Sequence, residues 1–211
     1  MERNKIVKDN FRIIKIGEFI GDLFLLQFYF LLFSFKGFVL LGIFPSFLAS
    51  IKVLVSKFYD ENPDTLQYEF RETYKNYFKT SNIIGWIIAL LSGILIFDYK
   101  INQNFLENSL LKIILLIIMV FLLILISHLP ITLLRFDLKG KEYLRQAMLV
   151  ALSSPFELIS IILSLLLIEE IFSRYPILVL LLGNPILAMP FAWFSYRSVE
   201  RIKEKRRYNG W

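Results

Sequence analysis

The sequence predicts an all-α, polytopic transmembrane bundle, six spans in a single integral domain over residues 1–211. An amphipathic cytoplasmic segment lies at 59–81 within it. Three observations carry this expectation. Apolar residues make up 56% of the 211, with 21 Phe and a mean hydropathy of +0.60. A soluble domain runs nearer ~45–50% apolar and ~25% charged, against 20% charged here. The apolar residues also gather in blocks close to the ~20 residues needed to cross ~30 Å of hydrocarbon. Finally, the Lys and Arg residues fall between the blocks, as cytoplasmic loops require.

Taken in order, the chain opens on Arg3, Lys5, Lys8, Arg12 and Lys15, then turns apolar from Phe19 to Phe58. This stretch reads either as one span with an interfacial helix, giving five crossings, or as a hairpin. The hairpin pairs Phe19–Phe35 with Phe38–Phe58 and turns at Lys36-Gly37, giving six. Charge separates the two readings. All but Lys36, Lys100, Lys112 and Arg174 of the 24 basic residues lie in the N-terminal tail, the 52–79 segment, the 135–145 loop and the C-terminal tail. Six crossings place these four segments and both termini in the cytoplasm. The first apolar region is too long for a cleaved signal peptide, and no A-x-A site follows it.

Between the second and third spans, Asn62-Pro63-Asp64 signals a turn, and Asp64 with Gln67 resembles a capping box. Leu66, Phe70, Tyr74 and Tyr77 then recur at helical spacing opposite Glu69, Glu72, Lys75 and Lys79. This helix either lies on the membrane surface or packs beneath the bundle. Its functional reading makes Phe70, Tyr74 and Tyr77 a docking stripe for a partner protein. The remaining spans are Ile83–Phe97, Ile113–Leu134, Leu149–Ile168 and Ile177–Tyr196, the last broken by Asn184-Pro185 and Pro190. Trp86, Trp193 and Tyr196 fall where an interfacial belt would place them.

Chemistry is sparse. With no Cys and one His, thiolate sites, cysteine nucleophiles and conventional zinc sites lack their ligands. No P-loop and no H-E-x-x-H motif is present. No catalytic residue, cofactor or metal is expected, and the net charge of +6 reads as cytoplasmic loop charge rather than nucleic-acid binding. Polar residues inside spans are the better candidates, because charge is costly there. They are Asp22, four residues after Glu18; His128, beside a carbonyl freed by Pro130; Glu157, about eight residues into its span; and Asn184. Glu157 is the one expected to face a polar cavity or a basic partner. Gly42, Ser46 and Ser50 recur every four residues through Pro45, a small-residue stripe suited to close helix packing. Gly17 and Gly21 repeat the spacing.

Gly42-Ile43-Phe44-Pro45-Ser46 with Ala49 resembles the G-x-x-P-[AS]-x-x-A signature of the YesL-like bacterial membrane proteins. The 77–82 entry to a span, the Arg135–Leu138 loop and Tyr143-Leu144-Arg145-Gln146-Ala147 extend the likeness. That family has no assigned catalytic residues. The resemblance implies a domain of unknown function, accessory to sugar ABC transporters in the bacterial inner membrane, whose partners are lipid and transporter subunits. The alternative is a self-contained small-solute transporter or channel, with Asp22, Glu157 and Asn184 along its path.

Overall fold

The computed structural model describes residues 2–60, 64–138 and 140–208, with side chains between 14 and 202. Asn62 and Pro63 of the expected turn, Lys139, and the side chains of the outermost basic residues lie outside the described residues. Among the described residues every regular element is helical. They are α1 (Glu2–Lys36), α2 (Ile43–Tyr59), α3 (Leu66–Ile101), α4 (Ser109–Arg135), α5 (Glu142–Ser153), α6 (Pro155–Arg174), α7 (Ile177–Pro190) and α8 (Tyr196–Tyr208). A π-turn extends α3 over Asn102–Leu106, and another joins α7 to α8 over Phe191–Ser195.

Four helical stretches are long and apolar enough to cross a membrane: Ile14–Lys36, Leu66–Leu106, Ser109–Arg135 and Ile177–Ile202. The α5–α6 pair makes a fifth if it is taken as one broken span. These are four or five stretches of spanning length, not a clear six. The region 19–58 does form two helices around a turn at residues 37–42, but α2 has only 17 residues, spanning about 25 Å. Ten of them are buried among α1, α3 and α7. A helix apolar on all sides suits a protein interior as well as lipid, and α2 owes its composition to the former.

A second correction concerns the amphipathic segment. The segment expected over 59–81 is not set apart from the span that follows it, because α3 runs unbroken from Leu66 to Ile101, about 54 Å. Its first half packs along α2, and its second half continues some 19 residues past Asn82. There the Asn82 carboxamide reaches the Leu41 carbonyl at 2.8 Å. From residue 83 to residue 126, α3 and α4 form a hairpin in which only Asn102 and Leu115 are buried. Its tip is closed by Asn102, which bonds the Asn108 carbonyl and N–H at 3.0 and 3.2 Å, while Asn108 caps α4 through the Leu111 N–H.

The expected span 149–168 is broken. Pro155 disfavours helical backbone at the preceding residue, and Ser154 sits at φ −138°, ψ 66°. α5 and α6 therefore meet at a bend of 97°. Leu149–Ser153 belong to α5, and Pro155 opens α6 as its first residue, where its missing N–H costs nothing.

Charge placement changes too. Lys36, expected on the face opposite Arg71 and Lys75, lines one cleft of about 380 Å³ with both.

Candidate functional site

The α1–α2 turn sets the geometry of the interior. Gly42 caps α2 directly against α1: a Cβ there would meet the Ser34 Cα at 2.5 Å and the Phe33 carbonyl at 2.8 Å. Only glycine permits this approach. Pro45, in the first turn of α2, needs no intrahelical donor. Ser46 and Ser50 on the next turns face inward, both fully buried. Gly17 and Gly21, by contrast, have nothing within 4 Å of a built Cβ, so that stripe packs against no helix here.

At mid-bundle, α1, α2 and α7 meet in a polar seam. The Gln27 carboxamide donates to the Leu180 carbonyl at 3.0 Å and accepts from the Asn184 N–H at 3.0 Å. Those two groups are the acceptor and donor of one turn of α7, so Gln27 bridges the turn preceding Pro185. The Asn184 side chain donates to Ser50 Oγ at 2.7 Å, and Ser50 in turn donates to the Ser46 carbonyl at 2.9 Å. Asn184 Oδ1 and Ser46 Oγ are buried with no partner. The seam floors a largely apolar cleft of about 600 Å³ between α1, α2 and α7, with Phe30, Phe47, Pro176 and Leu187 in its walls. The expected break of the last span is absorbed here: α7 stays helical through Pro185 and Pro190 and relaxes in the π-turn that follows.

Asp22 pairs with Lys57 of α2, which fixes the outer end of the α1–α2 pair. His128 is fully buried, and its ring does not take the carbonyl freed by Pro130. Nδ1 instead lies 2.8 Å from Ser127 Oγ and Nε2 lies 3.1 Å from Ser198 Oγ. Ser195 reaches the Ser127 carbonyl at 2.8 Å. This is a serine–histidine clasp holding α4 to α8, and among the described residues no carboxylate bonds the ring. Glu157 sits in the first turn of α6 rather than mid-span, 4% exposed, with Arg201 of α8 at 2.7 Å. The helix N-terminus favours its charge.

The aromatic stripe of α3 is filled from within the chain. Phe70 is fully buried against Tyr29 and Phe33, and Tyr74 is buried as well, donating to the Phe33 carbonyl at 3.1 Å. Tyr77 is half-buried against the Leu48–Leu129–Tyr143 cluster. A stripe packed this way leaves Phe70 and Tyr74 unavailable to a partner. Glu69, on the same turn as Phe70, is turned toward Lys52 at 3.0 Å and Ser56.

A further aromatic group closes the α2 end. Tyr59 stacks on Tyr196 with ring centroids 4.2 Å apart and donates to the Trp193 carbonyl at 3.1 Å. Burial raises its pKa above the ordinary 10, against the opposing pull of Arg197, so it stays a neutral donor.

Sequence reasoning named Asn184 and Ser50 separately and did not pair them. It passed over Gln27, an amide in the middle of an otherwise apolar stretch, which was the available signal. No group of His, Asp and Glu side chains among the described residues is suited to hold a metal ion.

No curated protein and no solved structure matches the chain. Residues 23–99, which hold α1 from Leu23 on, the turn, α2 and most of α3, match the model of a family described as protein of unknown function, DUF624.

Proposed function

We propose that this protein is a non-enzymatic membrane subunit that acts by contact with another integral membrane protein, in bacteria a carbohydrate-uptake transporter. The observation that carries this reading is the α3–α4 hairpin. Over residues 83–126 only Asn102 and Leu115 are buried and most of the exposed side chains are apolar, while the base of the hairpin rests on α2 through Trp86 against Phe44 and through Ile84 and Ile88 beside Leu48. A rigid two-helix arm of this kind suits a helix–helix contact within the bilayer. The interior supports the same reading: the two buried carboxylates among the described residues, Glu69 and Glu157, are paired with cations of the same chain. The carbohydrate side of the proposal rests on the sequence resemblance. The basic tails support cytoplasmic termini in the plasma membrane.

The test is recovery of partners from native membranes in mild detergent through a C-terminal tag. Transporter subunits at fixed stoichiometry are the expected result. Gly93 lies exposed on the arm with nothing within 4 Å of a built Cβ. Gly93→Trp therefore blocks a close helix approach without disturbing the fold, and partner recovery should fall. Recovery of the protein alone would refute the reading.

The cleft at the Gln27–Asn184 seam favours a second reading, a small-solute transporter in its own right. It predicts that Asn184→Ala, at the cleft, abolishes flux in proteoliposomes with the fold intact. Unchanged flux counts against it.

A further inference from the structure

The cleft between the C-terminal half of α1 and the first turns of α3 has a different character from the rest of the molecule. Its walls are Tyr29, Leu32, Phe33 and Tyr74, and its rim carries Lys36, Arg71 and Lys75 with Gln67. No carboxylate lines it. Glu69 points away toward Lys52 of α2, and Glu72, next to Arg71 in the chain, is not among its lining residues. Lys36 Nζ lies 4.7 Å from the centre of the Phe33 ring, which holds the cation at the cleft mouth. Three cations from two helices thus converge on a space of about 380 Å³ with no counter-charge in its lining.

A second feature adjoins it. The turn after Lys36 holds Phe38 and Val39 at φ 54° and 62°, a left-handed conformation costing L-residues about 1 kcal/mol or more each. The result is to push Phe38 outward, 88% exposed, beside exposed Phe35, Leu40 and Leu41. An outward apolar wedge next to a cationic cleft matches the two ends of a lipid, acyl chain and phosphate.

We infer that this cleft binds the phosphate of an anionic phospholipid, with Arg71 as the forked ligand, Lys36 and Lys75 as flanking point charges, and the 35–41 turn set among the acyl chains. Basic pockets between membrane helices bind anionic headgroups, and a neutral zwitterionic lipid would gain far less here.

The experiment uses the full chain in neutral detergent, titrated with dioctanoyl phosphatidylglycerol, dioctanoyl phosphatidylcholine and glycerol 3-phosphate. Binding is followed by native mass spectrometry and by thermal shift. Phosphatidylglycerol should bind at least tenfold tighter than the other two. Lys36→Gln/Arg71→Gln/Lys75→Gln should weaken it by about tenfold or more, while Lys79→Gln/Lys100→Gln/Lys112→Gln, equal in charge and exposed elsewhere, leaves it unchanged. Arg71→Gln alone, with Arg71→Lys retaining part of the binding, decides the matter should the triple variant fold poorly. Equal loss in the control variant, equal binding of both lipids, or glycerol 3-phosphate binding as tightly as phosphatidylglycerol would each overturn the inference.

Discussion

Gln27→Leu is the perturbation that most directly tests the seam. The substitution gives a shorter, branched apolar side chain and removes both amide functions. In the wild type those functions satisfy the Leu180 carbonyl and the Asn184 N–H, each at 3.0 Å. Leaving one buried polar group without a partner costs about 1–3 kcal/mol, whereas hydrogen bonds between membrane helices average nearer ~0.6 kcal/mol. Two such groups place the expected loss at about 1–4 kcal/mol. The low end applies if α7 closes its own turn once the bridge is gone.

Pro185 is what opposes that closure. Its ring crowds the preceding turn and it supplies no N–H to the Leu181 carbonyl. Pro185→Ala should therefore reduce the penalty of Gln27→Leu, with a non-additivity of about 0.5 kcal/mol or more in a double-mutant cycle. Reversible unfolding in mixed detergent micelles gives the four stabilities. If Gln27→Leu matches the wild type, or the two substitutions simply add, then Gln27 does not support the proline turn and the argument fails.

Three further outcomes follow from the geometry. Gly42→Ala drives a methyl into the Ser34 and Phe33 backbone and should cost about 3 kcal/mol or more; Gly17→Ala, with nothing within 4 Å, should be neutral, and the folded yield by gel filtration distinguishes them. Arg201→Ala strands the buried Glu157 carboxylate, whereas Glu157→Gln leaves no charge behind, so the first should lower the melting temperature more. A difference of about 1–3 kcal/mol is expected after solvent screening of the half-exposed Arg201; the reverse order would refute the pairing. Because the chain has no Cys, single cysteines report sidedness cleanly. Lys36→Cys and Lys75→Cys should react with an impermeant maleimide from the same side and Asn104→Cys from the other, and opposite labelling of the first two would contradict the shared cleft.

The sequence by itself determined that the protein is helical and built of apolar segments of membrane length, because hydropathy is a sum over local residues and needs no partner. It offered the helix pair around Lys36-Gly37 as one of two readings of residues 19–58, and it marked close packing at Gly42, since small residues every four positions let helix backbones approach. It did not determine which apolar helix meets lipid and which meets protein. The interior of a bundle and a bilayer reward the same side chains, and only the tertiary structure placed α2 in the core and left most of the α3–α4 hairpin exposed. The same limit hid the roles of Phe70 and Tyr74, whose spacing describes a face without saying what covers it. Pairings across long separations also came only from the fold: Gln27 with Asn184, Asp22 with Lys57, Glu157 with Arg201, His128 with Ser198. Each joins groups that are distant in the chain, and a polar residue's partner is fixed by how helices cross, not by its neighbours in sequence.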